Sequence, residues 1–278
     1  MPARPRVIVF SHANGFPAGA YRQLFDAWRG AGFEVRAIEA FGHDARFPVS
    51  AGWPHLRDEL LGFVAGCASA DAPAWLVGHS LGGYLSAMAA QRAPELARGV
   101  VLLDSPILGG LLARGLGLAQ ATGWGRRWSP GRVSERRRDR WPSAEAAHAH
   151  FAAKPAFARW APGVLADYVA SGVRPAQGSV EHALAFRRDV ETAIYDTLPH
   201  RLDRQLRLEP LRCPMAFVGG RQSVETKRVG LAATRRHTRG RIGWVDGTHL
   251  FPFERPAETA RAVLGWLGEF EREGAAAA

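Results

Sequence analysis

The chain has 278 residues, 47% of them hydrophobic, enough to bury a substantial core, and no apolar run reaches the length of a membrane span. Its two cysteines, Cys67 and Cys213, lie far apart and match no metal spacing, which favours buried thiols in a reducing compartment over a disulfide scaffold or a metal site. The formal charge of +10, from 36 basic and 26 acidic residues, is almost all arginine spread along the chain, a weak basis for a nucleic-acid partner.

The first strand pattern, Arg6 to Ser11, starts almost at once, leaving no room for a signal peptide and giving an expectation of a cytoplasmic protein with no membrane partner. A helix over Tyr21 to Gly30, a strand over Phe33 to Ile38 and a helix over Trp53 to Cys67 follow. Next come a strand at Ala74 to Val77, a helix at Leu81 to Arg92 and a strand at Gly99 to Leu103. Strand and helix patterns that alternate in this way predict an α/β fold, with a mostly parallel, doubly wound sheet of about six strands.

From Ser105 to Arg212 the rhythm breaks. Only helical pieces are predicted there: Ile107 to Ala121, Ser143 to Ala153, Ala156 to Ser171 and Ser179 to Tyr195, separated by proline-containing breaks. So long a connection needs structure of its own, and residues 106–212 read as a helical lid on a core made of 1–105 and 213–278. Within it the arginine-rich stretch Gly125 to Trp141 reads as a solvated, mobile surface segment. The pattern resumes with strands at Pro214 to Val218 and Arg241 to Val245, a helix near Glu225 to His237 between them, and a last helix at Ala257 to Glu271. The terminal GAAAA reads as a frayed tail.

The most specific signal is Gly78-His79-Ser80-Leu81-Gly82, which joins a strand directly to an alanine-rich helix. That is the G-x-S-x-G nucleophile elbow in its required context. Glycines flanking the serine let strand and helix approach while Ser80 projects above the strand ends. The helix N-terminus behind it favours negative charge, and the Leu81 N–H is a candidate oxyanion donor. On these residues the chain resembles the α/β-hydrolases over essentially its full length, without the antiparallel strands that usually precede the parallel sheet.

A serine hydroxyl needs a base. His249, in GTHLFPFERP between the last strand and the final helix, stands where the family carries its catalytic histidine. His79 is expected to point away from Ser80. His12 and His43 read as structural, and His148, His150, His182 and His200 as lid residues, with His200 a candidate to line a pocket. The loop FSHANGFPAG after the first strand resembles the family's HG-type loop with Ala13 replacing the glycine. Asn14 is the preferred second oxyanion donor, with Ala13 as the alternative.

The third member of the triad is absent from its commonest place. After PMAFVGG the matching positions are Arg221, Gln222 and Ser223, none of which is an acid. Three acids remain open: Asp104 at the end of the strand after the elbow helix, then Glu225, then Asp246. Asp104 ranks first because neighbouring strand ends can direct a carboxylate at the same imidazole, although it could equally cap the turn into SPIL.

The resemblance implies a cofactor-free, metal-free serine hydrolase acting on an ester, lactone or thioester of a largely apolar small molecule. The same triad can hydrolyse carbon–carbon bonds in activated diketones, and a binding protein that kept the elbow is the reading from another class. The lid aromatics Trp124, Trp128, Trp141, Phe151, Phe157, Trp160, Tyr168, Phe186 and Tyr195 are expected mostly to hold the lid to the core, with half or fewer reaching substrate. Substrate-binding residues and oligomeric state are not legible.

Overall fold

Successive strand side chains point to opposite faces, and here both faces are buried, so most of the main strands carry near-continuous apolar runs. In β1 (Arg6–Ser11), Ile8 and Phe10 join one buried cluster while Val7 and Val9 join the other. The computed structural model describes residues 6–123 and 131–277. In it, β2 (Phe33–Ala37), β3 (Ala74–His79) and β4 (Ala97–Leu103) extend the same division. One face is covered by helix α1 (Arg22–Gly30), through Leu24, Phe25 and Trp28. The other is covered by α2 (Pro54–Ala65) and α3 (Leu81–Arg92), through Leu56, Leu60 and Leu85.

Between β4 and the next strand of the main sheet, the chain leaves as a mostly helical insertion. It carries α4 (Gly110–Ala121), α5 (Gly131–Arg136), α6 (Ala144–Ala152), α7 (Pro155–Ala158) and α8 (Val164–Gly172), then α9 (Arg188–Asp196) and α10 (Leu202–Leu208). It also holds a small antiparallel sheet of β5 (Arg140–Trp141), β6 (Val173–Pro175) and β7 (His182–Leu184), which the sequence reading omits. Strands of two or three residues are too short to display a period.

Residues 124–130 of the arginine-rich stretch, with Trp124 and Trp128, lie outside the described residues. Its remainder is solvated only in part: Arg132, Glu135, Arg136, Arg138 and Arg140 are exposed as expected, but two side chains are not. Trp141 is fully buried and Arg137 pairs with the buried carboxylate of Glu191. Burial of an apolar ring and of a charge with its partner explains the difference.

The main sheet closes with β8 (Met215–Gly220) and β9 (Ile242–Val245), giving the order β2-β1-β3-β4-β8-β9 with every pairing parallel. Between them α11 (Val224–Val229) and α12 (Ala232–His237) replace the single predicted helix, because Gly230 at φ +74° breaks it. After α13 (Phe251–Glu254), α14 (Pro256–Ala277) packs Val263, Leu267 and Phe270 beside α1, and runs as helix to Ala277, into the tail expected to fray. Alanine's high helix propensity accounts for that. The two cysteines are free but only half-buried. Among the described residues no helix is long and apolar enough to cross a membrane.

The crossing of α3 over the sheet depends on missing side chains. A Cβ on Gly82 would lie 2.0 Å from the Ser11 carbonyl oxygen, and one on Gly78 2.2 Å from the Gly82 backbone. On Gly62, in α2, it would meet nothing within 4 Å. Gly82→Ala is therefore expected to cost about 1–3 kcal/mol through forced backbone movement, and Gly62→Ala to leave stability unchanged or raise it by up to about 1 kcal/mol. Thermal unfolding of the two variants checks this, and equal effects would contradict it.

Candidate active site

β3 ends at His79 and α3 begins at Leu81, so Ser80 alone makes the turn, at φ 54° and ψ −113°. A non-glycine residue persists there only where its surroundings over-determine it. The Ser80 N–H donates to the Leu103 carbonyl (3.0 Å), and Ser105 Oγ donates toward the Ser80 carbonyl (2.9 Å). Leu81, as the first residue of α3, has an N–H with no intrahelical acceptor.

Asp104 follows β4 with φ 44°, its backbone N–H donating to the Val218 carbonyl (2.8 Å). Its carboxylate is buried, and each oxygen accepts two donors. Oδ1 takes the Gly220 N–H (2.8 Å) and Thr226 Oγ1 (3.1 Å); Oδ2 takes Ser223 Oγ (2.5 Å) and His249 Nδ1 (2.7 Å). A carboxylate offers about four acceptor positions, and here all are used. The place where an acid was expected thus holds donors: Ser223 stands at the vacant position and binds the acid supplied by the neighbouring strand. Gly220, Ser223 and Thr226 were missed from sequence, since only the spatial pairing of β4 with β8 brings them to Asp104.

The other two acids are placed differently. The Asp246 carboxylate accepts from Gln222 Nε2 (3.0 Å). Glu225 is exposed on α11 with its carboxylate near His249, and ligand atoms of Asp104, Glu225 and His249 lie within 4.8 Å of one another. As a metal site this set is poor, because the acceptor positions of Asp104 are filled by hydrogen-bond donors and His249 Nδ1 is one of them.

The electrostatics follow from these partners. Burial is the largest influence on Asp104 and pushes its carboxyl up, but the bonds from His249, Ser223 and the Gly220 N–H together hold it below the ordinary carboxylate value. For His249 burial again acts first, lowering it, and is outweighed by the hydrogen bond and charge of Asp104 and by the charge of Glu225. The imidazole is therefore held above its ordinary value. With Nδ1–H committed to Asp104, the neutral ring carries its lone pair on Nε2.

In the loop after β1, the Ala13 N–H donates to Tyr21 Oη (3.2 Å), so of the two candidates Ala13 has its N–H already committed. The Asn14 side chain donates to the Glu191 carbonyl (3.0 Å), tying the loop to α9. His12 and His43 are structural, as expected. His12 donates from Nδ1 to the Ala13 carbonyl (2.8 Å) and burial lowers its pKa to about 4. His43 Nε2 accepts the Arg187 N–H (2.9 Å). His200 bonds to Gln120 and does not line the pocket.

Asn14, Ser80, Leu81, Asp104 and His249 share one pocket of about 330 Å³, at the lower end of the ~300–1,000 Å³ usual for small-molecule sites. Its walls are largely apolar: Trp53 and Tyr84 come from the core segment, and Leu108, Ile194, Tyr195 and Leu198 from the insertion. Of the described lid aromatics only Tyr195 lines it. Glu225 and Arg228 add one charge of each sign. A larger cleft of about 680 Å³ lies elsewhere, among Arg57, Arg92 and Arg212, and brings no nucleophile to a base.

The sequence matches the alpha/beta hydrolase family over residues 8–262. Among solved structures the chain is similar to E-2-(acetamidomethylene)succinate hydrolase, at 21% identity and a TM-score of 0.70, over 95% of this chain and 91% of that one. It is similar to the thioesterase domain from the curacin biosynthetic pathway, at 16% identity and a TM-score of 0.71, over 94% and 91%. A third resemblance is to a structure from the study of carboxylesterases of the ammonia-oxidizing thaumarchaeon Nitrososphaera gargenis, at 16% identity and a TM-score of 0.68, over 98% and 93%. No curated protein sequence gives a match.

The charges around His249 set a titration order. Removing a negative neighbour disfavours the imidazolium, so Asp104→Asn should lower the His249 midpoint, and Glu225→Gln should lower it less. Ring-proton NMR titration measures both. A midpoint that ignores Asp104→Asn, or falls further with Glu225→Gln, would contradict the arrangement.

Proposed function

The chain belongs to the alpha/beta hydrolase family, and from that premise we propose a cofactor-free serine hydrolase that cleaves a carboxylic ester, lactone or thioester of a largely apolar small molecule. The observation that carries the reading is the Asp104–His249 hydrogen bond of 2.7 Å at a pocket whose wall also holds Ser80 at a strained elbow.

In this reading Ser80 Oγ attacks the substrate carbonyl carbon as its proton passes to His249 Nε2. Asp104, fixed as an anion by four donors, holds the ring in the Nδ1–H tautomer and stabilises the imidazolium. The N–H groups of Asn14 and Leu81 receive the charge that develops on the carbonyl oxygen. The imidazolium returns its proton to the leaving oxygen or sulfur, leaving an acyl group on Ser80. Water, activated by the same imidazole, then releases the acid.

Residues 106–212 serve as the lid over the core of 1–105 and 213–278. Ile194, Tyr195 and Leu198 from this segment line an apolar chamber, and the hydrogen bond from the Asn14 side chain to the Glu191 carbonyl ties the segment to the oxyanion loop. The apolar lining and the ester and thioester hydrolases among the similar structures favour acyl transfer over other chemistry.

Labelling by a fluorophosphonate and turnover of short and medium p-nitrophenyl esters test the reading together. Ser80→Ala is expected to abolish both, and Asp104→Asn to lower turnover by roughly three to four powers of ten, the scale seen when a triad acid is neutralised. A wild type that neither labels nor hydrolyses any ester would contradict it and favour a non-catalytic binding protein.

A further inference from the structure

His79 is wholly buried next to the proposed nucleophile, yet the mechanism assigns it nothing. Its partners fix every proton around it. The Ala13 N–H can only donate, so Tyr21 Oη accepts there and spends its own proton on His79 Nδ1 (2.7 Å). The His249 carbonyl can only accept, so His79 Nε2 must carry the hydrogen it receives (2.9 Å). Both ends demand the same neutral tautomer.

The geometry points to the Tyr21–His79 pair as a positioning device that holds the backbone of the proposed base and the oxyanion loop at a fixed separation. It rests on the serine hydrolase reading and adds two residues that touch no substrate. One end of the chain of bonds is the residue preceding Asn14, and the other is the carbonyl of His249 itself. Three restraints then fix the base: Asp104 holds its ring, His79 its carbonyl, and Glu254 the preceding residue through Thr248 N–H (2.9 Å) and Thr248 Oγ1 (2.6 Å).

The pair suits a fixed spacer because neither member changes charge near neutral pH. Burial, then the nearby charge of His249, lowers His79 to about 3, and burial raises Tyr21 above its ordinary value. The groups facing His79 are the His249 ring, 5.0 Å away between centroids, the Tyr21 phenol, the Phe251 and Phe253 rings, and at longer range Asp104 and His12. A second proton acceptor beside the base would compete for its proton; a histidine held neutral does not.

Steady-state kinetics on Tyr21→Phe, His79→Leu and His79→Gln test the assignment. Tyr21→Phe keeps the ring packed against Phe10 and Phe253 and so guards against simple loss of fold. Tyr21→Phe and His79→Leu are expected to lower kcat by about tenfold or more through misplacement of reacting groups, with KM little changed and the pH limb unmoved. His79→Gln, whose amide can still donate to the His249 carbonyl, is expected to recover most of the loss. Folded Tyr21→Phe and His79→Leu variants with kcat within about twofold of wild type would overturn the assignment. Ring-nitrogen NMR adds a readout that needs no turnover: His79 must hold the Nε2–H form without titrating across neutral pH, and Tyr21→Phe must shift the backbone amides of both Asn14 and His249. Failure there overturns the positioning role, whereas loss of wild-type labelling and turnover overturns only the hydrolase reading.

Discussion

The architecture of the site turns on one buried carboxylate. Asp104 can stay ionised inside the protein only if its lone pairs are met, and the donors that meet them come from three separate places: the end of β8, the first turn of α11 and the loop after β9. Each must be in register with β4 for the bonds to form. The parallel pairings Leu103↔Val218 and Gly220↔Val245 supply that register, and His79↔Leu103 places Ser80 beside the same edge. Losing one donor would strand part of a buried charge, so site geometry and fold stability are tied together here.

Two histidines close to this carboxylate show how environment divides one residue type into two roles. His249 faces two carboxylates, which hold its ring above the ordinary imidazole value despite its burial. The His79 ring, 5.0 Å away, bonds directly only to a phenol and a backbone carbonyl and is lowered to about 3. Burial opposes charge on both, and only the one with ionic partners overcomes it.

Much of the fold was legible because most of the main strands carry apolar runs long enough to read, set off by helical patterns, and α3 from Leu81 to Arg92 has the predicted limits. What failed to show was what local sequence does not encode. β5, β6 and β7 are too short for a period, and the packing of Arg137 against Glu191 joins segments far apart in the chain. The site divides in the same way. Ser80 and His249 announce themselves by motif and place, whereas Asp104 emerged only because Arg221, Gln222 and Ser223 offered no acid. Its donors Ser223 and Thr226, 119 and 122 positions away, and the Tyr21–His79 contact carry no sequence signature.

The most direct test of the account is the proton between His249 and Asp104. A proton shared by an imidazole and a buried carboxylate at 2.7 Å should give a single far-downfield proton NMR resonance. The account predicts that this resonance is present in the wild type, persists in Glu225→Gln and vanishes in Asp104→Asn. Its absence from the wild type, or its loss with Glu225→Gln and survival in Asp104→Asn, would contradict the central role given to Asp104.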